Sequence, residues 1–137
     1  MNPRPSRISV CLVIATLAVA VGCRRENLNE LLKVRSGMLD LVLLSPRDGL
    51  RHGNDTFVIE FRSTSSGALV DVGSVHASAN MPMAGMPMFG TVDVQPTDVP
   101  GRFATNAEFG MAGTWRLTVQ WDGPAGQGSV TFPGSVQ

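Results

Sequence analysis

Seven short runs of alternating apolar and polar residues, with Gly, Pro, Asp and Asn turns between them, occupy about 100 residues and predict an all-β domain. The architecture they predict is a seven-stranded antiparallel immunoglobulin-like β-sandwich over residues 37–137. Alternation, as opposed to continuous apolar runs, places one face of each sheet on a core and the other in water, which is the antiparallel habit. A domain of this size buries one core without disulfides. It has to, because Cys11 and Cys23 are the only cysteines and both precede it. The missing cysteine pair separates it from antibody domains. A small up-and-down barrel fits the same strand count.

Ahead of the domain, Arg4 and Arg7 precede a run from Ile8 to Val21 that is apolar apart from Ser9 and Thr16. Its length, about 14 residues, falls short of the ~20 that a spanning helix needs and suits the apolar region of a signal peptide, residues 1–22. Ala20-Val21-Gly22-Cys23 resembles a bacterial lipobox. That resemblance implies lipidation of Cys23 and a membrane-anchored lipoprotein of the cell envelope or periplasm, outside the cytoplasm. Residues 23–36 then form the lipidated N-terminus and a tether or short helix, since Leu28, Leu31 and Leu32 follow i, i+3, i+4 spacing. Such a helix is too short to hold without docking.

The strands follow in order. Leu39, Leu41 and Leu43 alternate with Asp40, Val42 and Leu44 before the turn Ser45-Pro46-Arg47-Asp48-Gly49. Phe57, Ile59 and Phe61 alternate with Val58, Glu60 and Arg62, and a Ser/Thr/Gly loop comes next. Val75, Ala77 and Ala79 alternate with His76, Ser78 and Asn80. Residues 89–95, 102–109, 114–122 and 127–132 supply the remaining four strands. The clearest is Trp115-Arg116-Leu117-Thr118-Val119-Gln120-Trp121, with its apolar residues all of one parity.

Charge and composition exclude several functions. Removal of residues 1–22 leaves 115 of the 137 residues, with 9 basic against 11 acidic side chains, a net charge of −2. Such a domain lacks the electrostatic footprint of a nucleic-acid binder. Arg24-Arg25 is a pair and not a polybasic cluster for anionic lipid. With Cys11 in the leader and Cys23 carrying lipid, no thiolate remains for zinc or iron–sulfur ligation. His52 and His76 are the only imidazoles. There is no cysteine nucleophile, no phosphate-binding glycine loop between strand and helix, and no telling pair of carboxylates, so no enzyme is predicted.

What remains is methionine. Met81-Pro82-Met83-Ala84-Gly85-Met86-Pro87-Met88 holds four of the seven methionines as two Met-Pro-Met units around a turn. A thioether is soft and polarizable, and it suits Cu(I). A residue before proline is pushed into extended geometry, where residues two apart face the same side. The expected form is a hairpin with a two-residue turn at Ala84-Gly85, Met83 paired with Met86 and Met81 with Met88. Pro82 and Pro87 then face each other at a non-hydrogen-bonded position. All four thioethers emerge from one face, as a Cu(I) site of Met81, Met83, Met86 and Met88. His76, on the strand leading in, is the candidate imidazole for Cu(II), although its parity puts it on the wetter face. Met111, in the Gly110–Gly113 loop, is either a remote ligand or packing. The plainer alternative is that the methionines close one end of the sandwich, or form an adaptable docking surface for a partner in an envelope complex.

Met81–Met88, Pro100-Gly101-Arg102-Phe103-Ala104 and the run Gly110 to Val119 together resemble YtkA-like domains and, more distantly, FixH-like domains, over about residues 38–135. The resemblance implies an immunoglobulin-like sandwich outside the cytoplasm. It also implies metal-efflux or copper-oxidase assembly proteins as partners, because related domains accompany them. FixH-like proteins are held by a transmembrane helix, whereas this chain carries a lipidation motif. The function expected is that of a lipid-anchored, Cu(I)-binding accessory protein for metal delivery, buffering or efflux support.

Overall fold

The alternation of the chain is converted into eight strands in a computed structural model that describes residues 26–137. The signal peptide (1–22) and the lipidation site Cys23 lie outside the described residues. The strands are β1 (Asn29–Ser36), β2 (Leu39–Ser45), β3 (Gly53–Ser63), β4 (Ser74–Met81), β5 (Met88–Pro96), β6 (Arg102–Phe109), β7 (Gly113–Gly123) and β8 (Gly126–Val136). Their hydrogen-bonded order is β1-β2-β3-β6-β5-β4-β7-β8, and each of these neighbours is antiparallel. β1, β2, β3, β6 and β5 form one layer and β4, β7 and β8 the other, and without β1 the order is that of an immunoglobulin-like sandwich.

β5 belongs to both layers. Its first residues, Met88 to Gly90, pair with β4, and Thr91 to Pro96 pair with β6. The sheet therefore folds over on itself and nearly closes, with β1 coming alongside β8. A cavity of about 160 Å³ marks that seam, lined among others by Leu31, Leu32, Leu50 and Phe132.

The expected count of seven strands is corrected to eight. Residues 29–36, expected to be tether or short helix, are strand β1. Its register against β2 shifts between Glu30 and Leu32, so Leu31 is an extra residue. The bulge lets Leu31 and Leu32, adjacent in sequence, both pack against the core. That arrangement imitates the helical spacing.

The remaining strands occupy the expected places, and parity sets their faces. On β3 the residues Phe57, Ile59 and Phe61 are buried, as are Trp115, Leu117, Val119 and Trp121 on β7. Phe61 meets Trp121 edge-on at 5.3 Å and Phe103 at 5.8 Å between ring centroids. The Phe61–Trp121 contact joins β3 to β7, the two strands that a disulfide joins in antibody domains. Edge-to-face aromatic pairs contribute about 0.5–1.5 kcal/mol beyond their burial.

β2 departs from simple alternation, because every residue from Asp40 to Ser45 is buried. Leu41 and Leu43 enter the core, while Val42 lies between Lys33 and Glu60 on the opposite face. Charged side chains cover that face: Lys33 and Arg35 pair with Asp40, and Arg62 and Arg102 with Glu60. The Arg35 hydrogen bond holds the Asp40 carboxyl below the usual carboxylate range, against burial, with Lys33 assisting. The same contact raises the Arg35 guanidinium further.

Candidate metal centre at the methionine end

β4 runs into the methionine repeat and β5 runs out of it. The ladder between them is three pairs long: Ala79↔Gly90, Asn80↔Phe89 and Met81↔Met88. The pairing of Met81 with Met88 follows the expected register. Both side chains turn inward, Met81 at 8% exposure and Met88 partly buried against the core. Directly paired residues of an antiparallel ladder have Cβ atoms about 4.5–5.5 Å apart, so the two thioethers begin side by side.

Beyond that pair the expected hairpin is not formed. Proline lacks the N–H that the next rung would need, and a proline stands immediately past the ladder on each strand. Residues 82–87 make a six-residue loop in place of a two-residue turn, with Gly85 at the positive φ of 86°. Met83 and Met86 do not pair as ladder partners. They project from the loop at 47% and 79% exposure. The single-face array of four is thus replaced by an inner pair, Met81 and Met88, and an outer pair, Met83 and Met86.

The inner pair needs room, and the β6–β7 turn provides it. A Cβ on Gly113 would lie 2.7 Å from the Met81 Cε, and one on Gly110 would lie 3.2 Å from the Met88 Sδ. The two glycines clear the space that the thioethers fill. Between them stands Met111, 40% exposed. Its carbonyl accepts a hydrogen bond from the Trp115 indole N–H at 3.0 Å, which ties the turn to a buried ring. Trp115 packs edge-on against Phe109 at 5.3 Å, and both are fully buried. Met81 and Met88 thus pack beside a turn that is tied to a buried aromatic pair.

His76 is not brought to this cluster. It is exposed, faces Gln120 across the β4–β7 ladder, and shares a surface groove with Ser74 and Asp122. Met81 is five residues further on and of opposite parity, roughly 16 Å along the strand. His52 lies in the β2–β3 connection, with Nδ1 3.3 Å from the Gln137 carbonyl. Among the described residues, no group of three or more His, Cys, Asp or Glu side chains is placed to hold a metal ion.

In the sequence Met111 reads as a remote ligand or as packing, and neither the clearance at Gly110 and Gly113 nor the Trp115 indole bond is expected. The signals were present: two glycines flank a lone methionine in Gly110-Met111-Ala112-Gly113, and a core tryptophan needs an acceptor for its N–H.

The sequence profile of the YtkA-like family matches residues 38–120. The chain belongs to the YtkA-like family. The YtkA-like region runs from the start of β2 into β7 and contains the methionine loop and the β6–β7 turn. No curated protein matches the chain. Among solved structures, the Lin-41 filamin domain is similar at 14% identity and a TM-score of 0.45, over 65% of this chain and 81% of that one. FetP of uropathogenic E. coli strain F11 is similar at 13% identity and a TM-score of 0.46, over 77% of this chain and 93% of that one.

Proposed function

We propose that this YtkA-like protein is an extracytoplasmic, lipid-anchored accessory protein that binds Cu(I), with Ag(I) as its mimic, through Met81, Met83, Met86 and Met88. Its task is metal delivery, buffering or efflux support, beside metal-efflux or copper-oxidase assembly proteins. The observation that carries this reading is the Met81↔Met88 pair, which brackets a loop bearing two further exposed thioethers. The inner pair is preorganised by the ladder and by the fixed turn above it. The outer pair is accessible to an incoming ion. The softness of the donor set selects Cu(I) over harder ions. The lipobox-like Ala20-Val21-Gly22-Cys23 supports the anchor and the compartment.

Anaerobic titration of Cu(I) against a competing chelator tests the metal. The wild type is expected to compete for one equivalent, and a variant with all four methionines changed to leucine to lose that competition. An unchanged affinity in the fourfold variant eliminates the site.

A second reading rests on Phe89 and Met86, exposed at 75% and 79% on neighbouring parts of the same hairpin. Adaptable apolar side chains of this kind suit docking to a protein of an envelope complex without metal. In that case Phe89→Ser weakens partner capture while Cu(I) has no effect on it.

A further inference from the structure

The strand pairing surrounds the methionine hairpin with its own continuation. β4 pairs on its other edge with β7, and β5 with β6. The turn from β6 to β7 must therefore arch over the inner side of the hairpin, where Met81 and Met88 point. The β5–β6 register ends at Thr91↔Glu108. Residues 110–112 form the turn that follows β6 directly, with Met111 at its middle. The clearances agree, since Met88 reaches Gly110 and Met81 reaches Gly113, the two flanks of Met111.

We infer that Met111 is a ligand of the same centre and that the ion sits under the β6–β7 turn, held by Met81, Met88 and Met111. Met83 and Met86 form the entry pair that passes the ion inward. The inference rests on the Cu(I) reading above and changes which thioethers do the holding. Met83 and Met86 lie on a loop without ladder bonds, so ordering them around an ion costs conformational entropy. Met111 is already fixed at its backbone by the Trp115 indole. Three thioethers from two connections, one paired and one pinned, give a preorganised soft site. The Met111 side chain is 40% exposed although its carbonyl serves the buried Trp115, so its thioether is open to a ligand.

The test uses the full chain with its leader, purified in detergent and alkylated so that neither cysteine offers a thiol. Cu(I) affinity is measured by chelator competition, and the number of sulfur neighbours by X-ray absorption at the copper edge. Met111→Leu is expected to weaken binding by about tenfold or more, the scale on which even outer-shell changes act. It is also expected to lower the sulfur count from three to two. Met83→Leu and Met86→Leu keep the count at three and slow loading. Met111→His, which retains a donor for copper, restores affinity with one nitrogen in place of one sulfur. If Met111→Leu binds as the wild type does with an unchanged sulfur count, the inference falls and the four-methionine site stands. A wild type that binds no Cu(I) removes the functional reading itself, and this inference with it.

Discussion

Met81 and Met86 belong to one eight-residue repeat, yet one is 8% exposed and the other 79%. Their substitution separates scaffold from surface. Met81→Ala empties a packed position and is expected to cost about 2–5 kcal/mol in urea unfolding, whereas Met86→Ala stays within about 0.5 kcal/mol. Leucine conserves volume at either place, so Met81→Leu is expected to cost less than about 1.5 kcal/mol. Leucine is therefore the substitution that probes the sulfur of Met81 without collapsing its surroundings. Equal costs for the two alanine variants would contradict the division into inner and outer pairs.

Among the elements, β2 carries the most distinctive electrostatics. The Asp40 carboxyl is held below its ordinary value of about 3.9, first by Arg35, so it binds a proton less readily in the folded chain than in the unfolded one. The stability this adds is complete at neutral pH and is lost as the pH falls from about 4 through the folded value. Asp40→Asn is expected to flatten the acid limb of the unfolding midpoint below about pH 4, with a uniform loss above it. An unchanged acid limb assigns that limb to other carboxylates. The neighbouring strand, β1, shows where legibility ended. Six of the seven expected strands could be read because one face of each is wet and alternation survives. β2 could be read because Leu39, Leu41 and Leu43 keep one parity, although both its faces are covered. In β1 the bulge at Leu31 breaks the period of two, so that Leu28, Leu31 and Leu32 spell a helix that never forms. At the methionine end, the local pairing of Met81 with Met88 was legible from the repeat, and so was a turn that includes Gly85. The length of the loop was not, since it depends on two prolines ending the ladder. Nor was the approach of Met111, which depends on strands far apart in sequence meeting at one end.

At the scale of the whole molecule, β5 ties the two layers together by pairing with β4 and then with β6. The sheet has two outermost strands, β1 and β8, and the fold brings them beside each other across the small seam cavity. Exposed strand edges recruit other chains, and proteins blunt them by covering or shortening them. Here each edge shields the other. Leu41-Val42-Leu43-Leu44 of β2 is an uncharged, β-prone run of the kind that stacks into fibrils, and β1 is what lies along its free side. Deleting residues 26–36 is expected to bare the edges of β2 and β8 together and to turn a monodisperse protein into one that scatters light and binds amyloid dyes on mild warming. If the shortened chain stays monodisperse, β1 has no such duty. A segment that looks like a tether in sequence thus closes the sheet, capping the edge of β2 and lying alongside β8.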